Sequence, residues 1–185
     1  YGKEGWQGQN HLFTYSAEAD GEAEIRSVDL ATLRQRRLDG PPASYRCPWH
    51  SRFVPVKSVD RPAAYWIYGR ESAAIRKLEE HGIVMERAKP GAAEADTYRV
   101  ESLGRAESPD VGYDKRTETV ASVTVSRGRV EAADGDRIVR TDQRLGTLAV
   151  YLLEPASDDG LVRWGYFDGS LAVGRDVPVA RLSNV

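Results

Sequence analysis

The densest apolar run of the chain, Leu148–Leu153, constrains its fold most, because a run of this kind has to be buried. Four residues recur through it at helical spacing: Leu145, Leu148, Ala149 and Leu152. We therefore predict a central buried helix that Thr141 or Asp142 caps and that Pro155 ends. No other segment of the chain has enough apolar residues to fill the middle of a core by itself.

A second helix start follows the proline. Residues 157–159, Ser-Asp-Asp, combine a hydroxyl with acidic side chains, and such residues cap and stabilise helix N-termini. We predict a further helix here, with Leu161, Trp164 and Gly165 facing the interior.

A strand, a helix and another strand are predicted in the middle of the chain. Ala63–Tyr68 is rich in aromatic residues, as buried strands are, and Glu71–His81 places its apolar residues on one helical face. Gly82 suits a left-handed C-terminal cap, and from Ile83 the chain resumes as a strand through Arg87. A crossover of this length predicts parallel strands in a right-handed βαβ unit.

Shorter patterns predict the remaining elements. Thr117–Arg127 alternates apolar and polar residues, as a strand packed on one side does. Pro178 suits an edge position in a last strand, Asp176–Leu182, and the polar residues 103–115 predict an exposed loop. The other predictions are short strands at His11–Tyr15, around Ile25, at Thr97–Val100 and at Arg137–Arg140, a helix over Leu30–Leu38, and turns at Ala19-Asp20-Gly21 and Asp134-Gly135.

Together these patterns predict an α+β fold: a mixed β-sheet containing one βαβ unit, with about three helices packed on it. Residues 1–44 are expected to be a linker or N-terminal arm with short strands. Residues 45–185 are expected to be a compact α/β accessory domain, irregular up to Pro62 because of its prolines. Since the chain begins with Tyr1, we expect it to be a piece of a longer polypeptide.

Charge, apolar run length and cysteine content limit which partners and which cellular locations the sequence predicts. The net charge is −2, and acidic residues are interspersed with the basic ones, so neither nucleic acid nor an anionic membrane is predicted as a partner. No apolar run approaches the roughly 20 residues of a membrane span. The single cysteine, Cys47, rules out an internal disulfide and leaves the cellular location open, export of the parent protein included.

The histidines do not form a metal motif. His11, His50 and His81 are isolated in sequence, and none belongs to a His-x-x-Glu pair. Cys47 and His50 have ligand-like spacing, but a structural zinc needs four protein ligands. We therefore predict no metal ligand and no catalytic residue in this chain, and we expect His81 to cap a helix C-terminus.

Aromatic residues are the one class with a binding potential. The candidate binding surface consists of Trp49, Trp66, Tyr68 and Tyr98, to which Tyr113 could add. Exposed on one side, such residues could form a sugar- or peptide-binding face. Aromatic residues also dominate the cores of small domains, so solvent exposure decides between the two roles.

Two motifs resemble a known family. Pro62–Ile67 followed by Ile75–Ile83 is similar to "PAYWIP … VIEKLRxHGI", and Leu145–Pro155 followed by Ser157–Val162 is similar to "LGxLAVYLLEPxSDDGLV". Both occur, in this order, in the region after the catalytic domain of bacterial zinc carboxypeptidases of the M14 type. The resemblance covers about residues 45–182. Tyr68-Gly69 departs from the family, which has a proline there.

The resemblance implies a parent hydrolase that cleaves C-terminal or related amide bonds with a zinc held by two histidines and a glutamate. Those ligands lie upstream in the family, so this chain would hold no cofactor, and its partner would be the upstream catalytic domain of the same polypeptide. The implied role is a non-catalytic C-terminal accessory domain that scaffolds or docks the enzyme. The alternatives are a cell-wall, carbohydrate- or peptide-binding module that uses exposed aromatics, and a hydrolase with a site of scattered residues.

Overall fold

The computed structural model describes residues 9–11, 15–27, 43–107 and 116–183. These residues form ten strands and two helices, so the described part of the chain is mostly β, and the predicted α+β fold with about three helices is wrong. In chain order, the elements are β1 (Gln9–His11), β2 (Tyr15–Ser27), β3 (Ala43–Pro55), β4 (Ser58–Asp60), β5 (Ala64–Ile67), α1 (Ser72–Glu80), β6 (Glu86–Arg87), β7 (Ala92–Glu107), β8 (Thr117–Glu131), β9 (Arg137–Arg140), α2 (Gly146–Leu153) and β10 (Asp176–Leu182).

One of two compact units, Tyr15–Val56, contains the antiparallel ribbon of β2 and β3. The predicted irregular chain after residue 43 is instead a strand, because both strands of a two-stranded ribbon have an open edge that tolerates Pro48. The predicted turn at Asp20-Gly21 lies inside β2, where the register shifts and Gly21 has a φ of 100°. The expected domain boundary after residue 44 falls within β3.

The other unit, Tyr1–Thr14 with Lys57–Val185, contains a six-stranded sheet in the order β6-β9-β5-β10-β7-β8. All of its pairings are antiparallel, so the predicted mixed sheet is wrong. Strands β5 and β6 both run antiparallel to β9, which lies between them. They are therefore parallel to each other, as a crossover through α1 requires, but β9 comes from later in the chain and separates them. In this unit β1 also pairs with β4.

Strand β10 lies in the centre of the sheet, between β5 and β7, so the predicted edge position is wrong. The register against β7 shifts between Asp176 and Ala180, and this irregularity accommodates Pro178, which has no N–H to donate. The carbonyl of Pro178 accepts a hydrogen bond from the backbone N–H of Tyr68 at 3.3 Å. The predicted loop from residue 103 is also wrong in its first part, because β7 continues to Glu107.

Helix α1 confirms its sequence prediction. Its apolar face, which includes Leu78, is buried, and Gly82 follows the helix with a φ of 79°. The N–H of Ile83 donates to the carbonyl of Leu78 at 3.0 Å, and that of Gly82 donates to Glu79 at 2.8 Å. These two bonds are the Schellman ending that the glycine predicts.

Helix α2 is buried and ends before Pro155, as predicted, but it begins later than expected. Its N-cap residue is Leu145, because the hydroxyl of Thr141 is used elsewhere and donates to the carbonyl of Pro62 at 2.5 Å. Asp142 instead accepts hydrogen bonds from Arg140.

Residues 158–170 form consecutive turns, so the predicted helix after Pro155 is wrong. Gly165 has a φ of 77°, a left-handed conformation that interrupts a right-handed helix. The side chain of Trp164, predicted to face inward, is 46% exposed. Leu161 is buried, as predicted.

The core lies on both faces of the sheet. Tyr65 and Ile67 of β5 pack on the face that α1 and α2 cover, while Ala64 and Trp66 point to the opposite face. That second face is covered by side chains from the start of β7 and the end of β8, including Val130. All four residues of β5 are consequently buried. The predicted helix over 30–38 lies outside the described residues.

Candidate functional site

Two of the predicted aromatic residues belong to the core. Trp66 is 4% exposed and Tyr98 is 1% exposed. The indole N–H of Trp66 donates to Asp136 at 2.9 Å, and this carboxylate also accepts the backbone N–H groups of Gly69 and Ala133. These two aromatic residues therefore cannot form an open binding face in this fold.

The other two predicted aromatic residues belong to different compact units. Trp49 is 52% exposed and belongs to β3, in the ribbon unit. Tyr68 is half-buried in the larger unit, and burial raises its pKa. The guanidinium of Arg70 lies 5.2 Å from the centre of the Tyr68 ring. Tyr113 lies outside the described residues.

The side chains considered for metal binding are within hydrogen-bond distance of backbone carbonyls. The thiol of Cys47 lies 3.8 Å from the carbonyl of Ala23, and the ring of His50 lies 3.3 Å from that of Ala17. The ring nitrogen Nδ1 of His81 lies 2.8 Å from the carbonyl of Lys77, which confirms the predicted capping of the helix end. Within the ranges that the structure describes, no group of three or more potential ligands could hold a metal ion.

A buried polar network lies where α2 meets the sheet. Glu154, the residue that follows α2, is 1% exposed. Its Oε1 accepts hydrogen bonds from the hydroxyls of Tyr65 at 2.5 Å and Tyr98 at 2.9 Å, and from Nε of Arg181 at 2.7 Å. Its Oε2 accepts a bond from Nη2 of Arg181 at 2.6 Å. We call these four residues the Glu154 network.

Burial determines the electrostatics of the Glu154 network. It raises the pKa of Tyr65 and of Tyr98 well above the ordinary value, and the charge of Glu154 raises both further. Burial works to lower the pKa of Arg181, but the hydrogen bond to Glu154, together with the charge of that carboxylate, outweighs it, so the pKa is raised. The network thus holds two neutral hydroxyls and one guanidinium around a carboxylate.

The Glu154 network connects the central strands to α2. Tyr65, Arg181 and Tyr98 belong to the adjacent strands β5, β10 and β7, and Glu154 fixes all three to the end of the helix. A carboxylate that four protein donors surround in the core is not available as a base for a ligand. Sequence analysis missed the network, although an acidic residue directly after the apolar run could have indicated a buried carboxylate.

An open groove with a volume of about 330 Å³ is lined by residues of α1, of α2 and of the turns that follow α2. Three aromatic side chains, Tyr151, Trp164 and Tyr166, line it. The remaining lining residues are three leucines and three polar residues: Leu148, Leu152, Leu161, Lys77, His81 and Asp159. We call this surface the Trp164 groove. Sequence analysis missed it because it predicted Trp164 to be buried on a helix that does not form.

A second cavity, of about 280 Å³, lies beside β8 and is more polar. Lys57, Arg163 and Ser157 are among its lining residues. Arg163 donates to Glu118 at 2.6 Å, so its charge is already paired within the chain. The hydroxyl of Ser157 has no hydrogen-bond partner among the described residues.

Comparison of the chain with protein-family models, curated proteins and solved structures finds no match. Over the part of the chain that the structure describes, neither helix is long and apolar enough to cross a membrane.

Proposed function

We propose that this chain is a non-catalytic C-terminal accessory domain of a zinc carboxypeptidase-like metallopeptidase of the M14 type. In this proposal it stabilises or docks the catalytic domain that precedes it in the same polypeptide. The zinc and the residues that activate water would belong to that upstream domain, and the substrate would be a peptide or a related amide.

The Glu154 network is the observation that supports an accessory role. Tyr65 comes from the first of the two family-like motifs, and Glu154 comes from the second. The two side chains meet in the core at 2.5 Å and are joined there by Tyr98 and Arg181. The residues that resemble the family thus hold the sheet and α2 together, as expected of a domain whose contribution is its own folded structure.

The alternative, a binding module that uses the predicted aromatic surface, has less support. Of its four residues, Trp66 and Tyr98 are in the core, and Trp49 belongs to a different compact unit from Tyr68. Because Trp66 and Tyr98 are buried, these four residues cannot together form an exposed aromatic platform.

A zinc and peptidase assay on the isolated chain tests the non-catalytic role. The purified chain is loaded with excess zinc, desalted, and assayed for bound metal and for release of C-terminal residues from a blocked dipeptide. We expect less than stoichiometric zinc and no turnover. Stoichiometric zinc together with turnover would overturn the proposal.

The scaffolding role is tested in the full polypeptide, with two glutamates of this chain as a matched pair. Glu154→Ala removes the buried carboxylate, whereas Glu79→Ala removes an exposed one from α1. We expect Glu154→Ala to shorten the half-life of peptidase activity on heating while leaving the initial kcat/KM unchanged, and we expect Glu79→Ala to change neither. An unchanged half-life in Glu154→Ala would contradict scaffolding, and so would a full-length polypeptide without peptidase activity.

A further inference from the structure

We propose that the Trp164 groove is a saccharide-binding site, in which a neutral sugar ring stacks on the exposed face of Trp164. This site is distinct from the predicted aromatic surface and shares no residue with it. It would give the domain a binding activity of its own, whether or not the parent is a peptidase.

Trp164 is exposed but held in place. Its indole N–H donates to Asp159 at 2.5 Å, and the guanidinium of Arg116 lies 3.5 Å from the centre of its ring. Arg116 is itself held by Glu118 at 2.8 Å. An aromatic side chain that is fixed before a ligand arrives loses little conformational entropy on binding. The groove therefore presents a pre-organised aromatic platform, which a mobile surface tryptophan would not provide.

The rim of the groove favours a neutral, hydroxyl-rich ligand. Asp159 offers a carboxylate, while Lys77 and His81 offer nitrogen groups on the side of α1. The ammonium of Lys77 is already paired with Glu80 at 2.6 Å and lies 5.8 Å from the centre of the Tyr166 ring. A charged ligand of either sign would meet a like charge on this rim. Hydroxyl groups both donate and accept, so a sugar can use both kinds of partner.

The size and floor of the groove fit the same ligand class. Its volume of about 330 Å³ lies at the lower end of the range of small-molecule sites. Leu148, Leu152 and Leu161 form an apolar floor that suits the C–H face of a sugar ring. A floor of this kind with a few polar groups at the rim is the usual composition of a ligand site.

Calorimetric titration of the whole chain with two neutral probes, the β-1,4-linked hexasaccharides of N-acetylglucosamine and of glucose, tests the proposal. We expect saturable binding of at least one probe. Trp164→Ala should weaken it about tenfold or more, and Trp164→Phe, which keeps a stacking ring, should retain most of it. The matched control is Trp49→Ala, because Trp49 is similarly exposed, at 52% against 46%, but lies on the ribbon.

Circular dichroism first verifies that each variant is folded. Absence of saturable binding with both hexasaccharides would overturn the proposal. So would an equal loss of affinity in Trp49→Ala, because the binding would then not depend on the groove. A tripeptide probe that binds in a Trp164-dependent manner where both sugars fail would assign the groove to peptides and overturn it as well. None of these outcomes depends on peptidase activity, so this proposal and the accessory role can fail separately.

Discussion

The Glu154 network and the Trp164 groove each take their central residue from the same segment, Leu145–Asp168, and differ in how their polar contacts are used. In the network, every contact of the Glu154 carboxylate is with a protein donor, and the residue is 1% exposed. In the groove, Asp159 and Arg116 fix an indole ring that is still 46% exposed. Polar contacts in the core hold strands together, whereas the same kinds of contact at the surface position a side chain for a ligand.

Trp66 and Trp164, each held by an aspartate, show the same contrast between the core and the surface. Each donates its indole N–H to an aspartate, Trp66 to Asp136 at 2.9 Å and Trp164 to Asp159 at 2.5 Å. Trp66 is 4% exposed, so loss of its hydrogen bond leaves a polar group without water. Trp164 is partly exposed, so water can accept its indole N–H if Asp159 is removed. The difference between buried and exposed anchoring can be tested in four ways.

The largest effect is expected from Glu154→Ala. Removing this carboxylate leaves the guanidinium of Arg181 and two tyrosine hydroxyls buried without their acceptor. We expect the free energy of unfolding to fall by about 3–5 kcal/mol, the usual cost of breaking a buried ion pair. Urea denaturation measures it, with Asp159→Ala as the exposed control from the same segment. If the free energy of unfolding falls no further in Glu154→Ala than in Asp159→Ala, the contrast between the network and the groove is wrong.

Alkaline pH should destabilise the protein through the two buried tyrosines. Their folded pKa values are raised above the ordinary 10.0, so above that pH the unfolded chain releases protons that the folded chain retains. The free energy of unfolding therefore falls as the pH rises above about 10, by up to about 1.4 kcal/mol per pH unit for each tyrosine. Denaturation at a series of pH values measures the slope. The Tyr65→Phe/Tyr98→Phe double variant should lose most of this slope, because Tyr68, whose pKa is also raised, remains. An unchanged slope in that variant would contradict this assignment.

Trp66→Phe should have an intermediate effect. The substitution deprives Asp136 of its indole donor in the core and reduces packing against the second face of the sheet. We expect a loss of about 1–3 kcal/mol in the free energy of unfolding. The matched variant is Trp164→Phe, for which the loss should be much smaller. Equal losses in the two variants would mean that burial does not distinguish the two anchors.

The smallest effect on stability is expected from Arg116→Ala. This change removes the cation that stacks on Trp164 and one of the two arginines that pair with the buried Glu118. The ring stays in contact with Asp159, and Glu118 stays paired with Arg163. Because the ring is partly solvated and Glu118 keeps Arg163 as a partner, the change should cost less than about 1 kcal/mol. Urea denaturation measures stability. The change in the fluorescence spectrum on Arg116→Ala, in a Trp6→Phe/Trp49→Phe background that leaves Trp66 as the one other tryptophan, reports the surroundings of Trp164. A loss above that limit would mean that the groove also helps to hold the core together.

Local patterns predicted the elements that depend on neighbouring residues. Gly82 after an apolar helical face predicted both the end of α1 and its Schellman hydrogen bonds. The apolar run and Pro155 predicted α2 and its end. The turn at Asp134-Gly135 was also predicted correctly, with a φ of 89° at the glycine, although the strands that it connects do not pair with each other.

Sequence patterns gave wrong predictions where the structure of a segment depends on residues far away in the chain. Pro178 indicated an edge strand, but β5 and β7 pair on either side of β10, and the irregular register makes this possible. The motif at 157–159 indicated a helix cap, but Gly165 adopts a left-handed conformation and the chain forms turns. In both cases the local preference was weaker than the packing of the whole unit.

The sequence alone thus determined that residues 63–83 and 145–155 form apolar elements with defined ends, because spacing, glycine conformation and proline geometry act within a few residues. Only the tertiary structure decided the strand order, and with it which aromatic side chains are buried. Trp66 and Tyr98 are in the core because β5 and β7 both lie inside the six-stranded sheet, whereas Trp164 is exposed on a segment that forms turns instead of the predicted helix. Burial depends on contacts between residues far apart in the chain, and no local pattern contains that information.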